Sequence, residues 1–225
     1  MNSLLSLINA KYHQIIMVER RGYIIEDLEK KIVDVYREYE ESGDYEELIE
    51  FFDSLDKPNN SYRALFSKDY THNDGHILSV IYVSKLSGKK RVSKSTLTAF
   101  FNYIVNKDRE YGIIVVDSLL STGATAGLTA LSNNRFIQVF HQNELYFDPT
   151  EHVDVSIHSK LSKEEAAKKI KELRVGPGSS TLLIQSSDPI VKYNGWRPGD
   201  FIKVIRNDLN LKVLARKTIN YRKVV

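Results

Sequence analysis

Residues 188–206 read DPIVKYNGWRPGDFIKVIR, and this stretch decides the fold of the C-terminal part of the chain. Asp188-Pro189 predicts the first turn of a short helix, where proline is well tolerated, and Gly195 predicts its end at a residue free to adopt a positive φ. Pro198-Gly199-Asp200 predicts a tight turn into a strand. We expect a small rigid platform with an exposed Trp196 region and a strand that can pair with another chain.

The flanking segments extend this platform into a β-rich module. Residues 182–185 and the tail 212–225 are rich in apolar residues and read as strands. The sequence SKEE at 162–165 predicts a capping box that opens a short basic helix ending near Arg174. The sequence GPG at 176–178 predicts a break. Residues 144–148 read as extended.

The front of the chain changes its hydrophobic period from helical to strand-like. Three helices are predicted before Pro58: one ending at Gly22, one ending at Gly43 and one capped by Asp44. Beyond them, strands are expected at residues 62–66, 77–83, 112–117 and 135–140, and helices after Ser93 or Ser95 and at 121–131.

The predicted fold class is therefore α+β. Residues 1–142 are expected to form a helix-flanked mixed sheet, a nuclease-like scaffold without an active site. Residues 143–225 are expected to form a small β-rich C-terminal module.

Composition and charge exclude several classes of protein. The 225 residues contain no cysteine, which removes disulfide scaffolds, Cys-ligated zinc sites and thiol nucleophiles. No apolar run approaches the ~20 residues that span a bilayer, so a soluble intracellular protein is expected. The net charge of +3 divides unevenly: residues 1–134 hold 16 basic against 19 acidic residues, and residues 135–225 hold 16 against 10. This asymmetry favours two functional units.

No catalytic motif of the sequence is complete. Two histidines, His152 and His158, make a poor metal site, because zinc takes three or four protein ligands. Asp117 follows the predicted central strand, yet a metal-dependent nuclease also needs a Glu-x-Lys strand beside it, and none follows. A metal-dependent nuclease and a stand-alone nucleic-acid-binding adaptor using the basic C-terminal part stay open as alternatives. The basic run 89–91 with Lys94 is read as a solvated turn more readily than as a phosphate contact.

Residues 188–200 with 202–206 resemble the signature of the fifth subunit of eukaryotic nuclear RNA polymerases and of the archaeal counterpart of that subunit. The sequences NEL at 143–145, TEH at 150–152 and His158 followed by LSKEE at 161–165 agree with this family, as does the closing YR at 221–222. Two departures stand out: VSI at 155–157 replaces a Val-Pro-x step, and residues 207–218 replace a short Thr-Ala-Gly turn.

The resemblance implies a non-catalytic subunit of a multisubunit DNA-directed RNA polymerase, itself a nucleotidyltransferase complex, with no cofactor or metal of its own. The C-terminal module would dock on the largest subunit and contact other polymerase subunits. The N-terminal domain would form part of the lower jaw, where it meets downstream duplex DNA indirectly or weakly; transcription regulators are further candidate partners, and a membrane is not. A cellular form would act in the nucleus, and the form of a large DNA virus in the host cytoplasm or the virion. The residues that the resemblance assigns to docking or to shaping the module are Thr150, Glu151, His152, His158, Asp188, Pro189, Tyr193, Gly195, Gly199, Asp200, Arg206, Tyr221 and Arg222.

Overall fold

The computed structural model describes residues 3–132, 134–152, 154–173, 182–207 and 217–225. The chain divides into two compact units, Met1–Phe147 and Asp148–Val225. Each unit carries helices and its own four-stranded mixed sheet, which confirms the predicted α+β class. Across the described ranges, every helix is too short or too polar to cross a membrane. The predicted break at 176–178 lies outside the described residues, whereas the basic helix predicted to end near Arg174 ends at Glu172.

Three helices open the first unit, as the sequence predicts: α1 (Ser3–Arg20), α2 (Asp27–Ser42) and α3 (Tyr45–Ser54). Gly43 ends α2 with φ 74°, a left-handed value that glycine adopts without steric cost. Asp44 then caps α3, because its carboxylate accepts hydrogen bonds from the backbone N–H groups of Glu46 and Glu47. Local capping chemistry therefore sets both helix boundaries.

Residues 62–66 form a helix, and the predicted strand there is wrong. A 3₁₀ turn (Pro58–Asn60) leads into α4 (Tyr62–Phe66), whose N-cap Ser61 accepts a hydrogen bond from the backbone N–H of Ala64. The alternation of apolar residues suggested a strand. The serine cap and the burial of Phe66 determine the helix instead.

The sheet of the first unit has the order β1-β2-β3-β4. Its strands are β1 (Lys68–Thr71), β2 (Ile77–Val83), β3 (Tyr111–Val116) and β4 (Phe136–His141). The first pair is antiparallel, and β2, β3 and β4 run parallel. The parallel strands are connected by α5 (Lys94–Asn106), which Ser93 caps, and α6 (Thr122–Ser132). These connecting helices cover the sheet with a core that includes Leu97, Phe100 and Ile114.

A second sheet, with the order β5-β7-β8-β6, forms the second unit. Its strands are β5 (Ile157–Lys160), β6 (Leu182–Ile184), β7 (Phe201–Asn207) and β8 (Lys217–Val224), and its helices are α7 (Lys163–Glu172) and α8 (Pro189–Tyr193). The sequence suggested that β7 can pair with another chain. That prediction is wrong, because β5 and β8 already pair with the two edges of β7. Only β5 was missed by sequence reasoning among the strands of this sheet.

The segment before the second unit is folded rather than extended, so the extended prediction for 144–148 is wrong. Gln142–Leu145 form a 3₁₀ turn that contacts α1, and Leu145 is fully buried in the first unit. The Glu144 carboxylate accepts a hydrogen bond from the backbone N–H of His141 at 2.6 Å, which closes a capping box. The assignment of a jaw domain and an assembly module to the two parts of the chain stays a prediction.

Candidate interaction site

The platform predicted from residues 188–200 begins with a capped helix. The Asp188 carboxylate accepts hydrogen bonds from the backbone N–H groups of Ile190 and Val191, with O···N distances of 2.9 and 3.4 Å. Pro189 occupies the first turn of α8, and Gly195 adopts φ 67° just after it. Asp188, Pro189 and Gly195 therefore define where the helix starts and ends.

The turn after this helix is held by Asp200. Its carboxylate accepts a hydrogen bond from the backbone N–H of Arg197 at 2.8 Å and pairs with the Lys160 ammonium at 2.9 Å. Gly199 adopts φ 98° and donates its backbone N–H to the carbonyl of Val224. Because Lys160 lies on β5 and Val224 on β8, Asp200 and Gly199 tie the turn to strands on both sides of β7.

The predicted exposed Trp196 region needs correction. Trp196 is partly buried and packs against a small core of five buried residues: Ile184, Val191, Ile202, Val204 and Val224. An indole ring has a large apolar surface, so contact with this core removes it from the solvent-facing role that the sequence suggested. The platform thus presents its loop backbone and polar groups rather than a free tryptophan.

Two further predicted residues lie within the module. Tyr193 is 1% exposed. The Tyr221 ring stacks on Phe201 with centroids 6.4 Å apart, and the Lys169 ammonium of α7 lies 5.3 Å from the centroid of the Tyr221 ring. Tyr193 and Tyr221 therefore pack the sheet against its helices.

Arg222 faces Ile202 in the register of β7 and β8 and Leu182 in the register of β6 and β8. It lies in the middle of three paired strands and is partly buried.

The predicted residues before and on β5 differ in exposure. Asp148 is buried, and its carboxylate accepts hydrogen bonds from the Thr150 backbone N–H at 2.7 Å and the Thr150 hydroxyl at 2.6 Å. Glu151 and His152 follow at the surface. His158 lies on β5 and donates Nδ1–H to the carbonyl oxygen of Ser156 at 2.6 Å. These contacts order the approach to the sheet.

Five of the thirteen predicted positions are exposed: Glu151, His152, Pro189, Gly199 and Arg206. Sequence reasoning missed a row of three apolar side chains on the sheet of the same unit. Ile157, Ile205 and Ile219 lie opposite one another across β5, β7 and β8, so their side chains share one face of the sheet. Ile157 is 59% exposed and Ile219 is 47% exposed. The three isoleucines are present in the sequence, but their alignment across the strands can be recognised only once the strand register is known.

In the first unit, an open cleft lies at the carboxyl ends of β3 and β4, lined in part by Arg63, Asp117, His141 and Glu144. Arg63 contacts the Asp117 carboxylate at 3.3 Å, and Ser84 and the backbone N–H of Lys85 donate to it. Partial burial opposes ionisation of Asp117, but these donors and the Arg63 charge together hold its pKa below the ordinary value. The paired strands β2 and β4 contain neither Glu nor Lys, so the nuclease alternative gains no partner for Asp117.

The basic run of the first unit lies at the surface. Lys89, Lys90, Arg91 and Lys94 are exposed between β2 and α5. Their exposure agrees with the interpretation as a solvated turn.

The metal pair considered from sequence, His152 with His158, gains no third ligand from the described residues. These residues contain one group of three potential ligands whose donor atoms converge, and it consists of His72, Asp74 and His76 at the β1–β2 turn. Sequence reasoning missed this group. The signal was the His-x-Asp-x-His spacing around Gly75, which places three ligands on one tight turn.

Comparison with known proteins connects the second unit to transcription. Residues 147–224 match the family described as RNA polymerase Rpb5, C-terminal domain. The DNA-directed RNA polymerase subunit Rpo5 of Sulfurisphaera tokodaii is 39% identical over 83 residues, which cover 37% of this chain and 93% of that protein. Rpo5 of Archaeoglobus fulgidus is 38% identical over 79 residues, covering 35% of this chain and 97% of that protein.

Similarity to a eukaryotic protein reaches further along the chain. The Caenorhabditis elegans protein named DNA-directed RNA polymerases I, II, and III subunit RPABC1 is 27% identical over 135 residues. That alignment covers 60% of this chain and 62% of the relative. A stretch of this length exceeds the second unit, so the likeness extends into the first.

Proposed function

This chain belongs to the Rpb5/Rpo5 family of RNA polymerase subunits, and from that premise we propose that its second unit docks on the largest subunit of a multisubunit DNA-directed RNA polymerase. The observation that carries the proposal is that residues 147–224 match the C-terminal domain of the family, while stretches of 83 and 79 residues of this chain cover 93% and 97% of two archaeal Rpo5 subunits. Since those subunits consist almost entirely of the matched module, the property that the family shares resides in this unit.

The surface of the second unit supports docking through two kinds of contact. The apolar row of Ile157, Ile205 and Ile219 offers a face whose burial is favourable at roughly 25 cal/mol per Å². Glu151, His152 and Arg206 offer exposed polar groups for the rim. The buried or turn-forming members of the predicted set, such as Asp188 and Asp200, fix loops of the same unit.

The proposed role of the first unit is that of a jaw near downstream DNA. The front part carries more acidic than basic residues, 19 against 16 in residues 1–134. Strong binding to phosphates requires many paired lysines and arginines. The proposed DNA contact is therefore indirect or weak.

Reversal of one exposed charge tests the docking proposal. In cells expressing a tagged chain, Arg206→Glu should lower the amount of polymerase that co-purifies by about tenfold or more, because a rim charge becomes repulsive. Arg37→Glu reverses an equally exposed charge on α2 of the first unit and serves as the matched control. The proposed docking surface would be overturned if neither Arg206→Glu nor Ile157→Ser lowered the amount of polymerase that co-purifies.

A further inference from the structure

The β1–β2 turn brings three metal-ligating side chains together within five residues. The donor atoms of His72, Asp74 and His76 all lie within 4.8 Å of one another. The Asp74 carboxylate lies 2.8 Å from His72 Nδ1 and also contacts His76 Nδ1. Two imidazole nitrogens and one carboxylate are a donor set that suits Zn²⁺.

The outer ring nitrogens of both histidines are held by groups outside the turn. His72 Nε2 lies 3.1 Å from the carbonyl oxygen of Arg21, and since a carbonyl only accepts, Nε2 carries the proton. The lone pair of His72 Nδ1 then accepts the backbone N–H of Asp74 at 3.2 Å, a contact that a bound ion replaces. Tyr23 places its hydroxyl 2.9 Å from His76 Nε2. Metal-bound histidines almost always have their second nitrogen held in this way, which fixes the tautomer and the ring orientation.

The surrounding backbone fits the two rings closely. A Cβ atom at Gly22 would lie 2.7 Å from His72 Nε2, so glycine is required for the ring to reach its position. The rings of His72 and His76 stack with centroids 4.2 Å apart, and His76 also stacks on Tyr111 at 4.4 Å. The two imidazoles are 23% and 28% exposed, whereas Asp74 is 63% exposed. Because an imidazole binds a metal ion in the plane of its ring, one of these nearly parallel rings has to turn for both Nδ1 atoms to reach the same ion, and the exposed carboxylate can adjust with it.

We propose that His72, Asp74 and His76 bind one divalent transition-metal ion, with Zn²⁺ as the preferred ion. His72 Nδ1, His76 Nδ1 and an Asp74 carboxylate oxygen supply three ligands, and a fourth tetrahedral position is open to water. Bonds of about 2.0–2.1 Å place tetrahedral ligands about 3.3 Å apart, so the exposed carboxylate moves outward and one imidazole ring turns out of the stack when the ion binds. A backbone bridge between Tyr23 and His72 joins the hairpin to the segment after α1, so the bound ion lies beside that junction.

Direct metal titration of the full-length chain tests this site. After chelator treatment and dialysis, calorimetry should show one Zn²⁺ bound per chain with a Kd below about 1 µM. Co²⁺, used as a spectroscopic probe, should give the visible absorption of a tetrahedral nitrogen–oxygen site. The absence of cysteine removes thiolate ligands as an alternative source of that spectrum.

Three variants and one control locate the ion. Asp74→Asn and His76→Ala should each weaken Zn²⁺ binding more than about 100-fold, and Tyr23→Phe should weaken it about tenfold through the outer nitrogen of His76. His13→Gln changes a histidine of the same unit outside the cluster and should leave the Kd unchanged. Far-UV circular dichroism verifies folding, and Asp74→Asn keeps the test valid because Asp74 lies on an exposed turn. A wild-type chain without saturable binding, or Asp74→Asn and His76→Ala variants that bind as tightly as wild type, would overturn the proposal.

Discussion

The two units of the chain are stabilised in different ways. The first unit buries large aromatic side chains, and those of Phe66, Tyr70 and Tyr82 surround the ammonium group of Lys11. The second unit has a core cluster of five aliphatic residues, also buries Tyr193 and Phe201, and starts its two helices at the capping residues Ser162 and Asp188. A fold that depends on local capping and turn chemistry leaves a short continuous signature in the sequence, and this is the unit that the family match covers.

The two units also differ in what their polar side chains contact. In the second unit, Asp188 and Asp200 accept backbone hydrogen bonds and so stabilise a helix start and a turn. In the first unit, the side chains of His72, Asp74 and His76 instead converge on one another. That turn lies outside residues 147–224, which match the family model.

The largest effect on stability is expected from a substitution in the aromatic core of the first unit. Phe52 is fully buried, and its ring lies 5.9 Å from that of Phe66. Phe52→Ala should lower the free energy of unfolding by about 3–5 kcal/mol, because it removes a large apolar side chain and leaves a cavity. Urea denaturation followed by circular dichroism measures the loss. A change below about 1 kcal/mol would show that the first unit does not depend on this core.

The buried lysine gives the first unit a distinctive pH dependence. Lys11 is 1% exposed and donates to the Tyr70 hydroxyl, the Gln14 amide oxygen and the Phe66 carbonyl oxygen. Burial lowers its pKa from 10.5 to about 7, although the negative charge of Glu29 acts in the opposite direction. Between these two values the unfolded chain holds more protons than the folded one, so Lys11 makes the unfolding free energy rise with pH.

Substitution of Lys11 should remove this rise of the unfolding free energy with pH. Between pH 7 and 9, the unfolding free energy of the wild type should rise relative to Lys11→Met by up to about 1.4 kcal/mol per pH unit. Denaturation curves at several pH values measure the difference, and Lys30→Met on the surface of α2 is the control. If the unfolding free energies of the wild type and Lys11→Met changed in parallel with pH, this result would contradict a Lys11 pKa lowered by burial.

A smaller effect is expected at the helix cap of the second unit. Asp188→Ala removes the acceptor for two backbone N–H groups of α8 and should cost about 1 kcal/mol of stability. Asp188→Asn retains an oxygen acceptor and should recover most of that loss. Thermal unfolding of the full chain, with hydrogen exchange resolved at residues 190–191, measures both variants. Equal protection in Asp188→Ala and wild type would show that the cap contributes little to this unit.

Sequence reasoning succeeded where a local rule determines the structure. The caps at Asp44, Ser162 and Asp188 and the left-handed Gly43 and Gly195 were all readable from single residues and their spacing. Failures occurred where tertiary contacts decide. Alternation at 62–66 mimicked a strand, and Trp196 could be recognised as a core residue only from its contacts.

The candidate sites follow the same division. The platform was found because its chemistry is contiguous, whereas the row of Ile157, Ile205 and Ile219 depends on strand register across residues far apart in the chain. The spacing of His72, Asp74 and His76 places them on one turn, but the groups of Arg21 and Tyr23 that contact the outer ring nitrogens come from another segment, which spacing does not reveal.

The role proposed for the second unit, to join this chain to an RNA polymerase, can be measured in the native source. Mass spectrometry can identify the proteins that co-elute with the full-length tagged chain at moderate salt. We predict the largest polymerase subunit at about one copy per chain, together with other polymerase subunits. Elution of the chain alone, or with a complex that contains no polymerase subunit, would contradict that role.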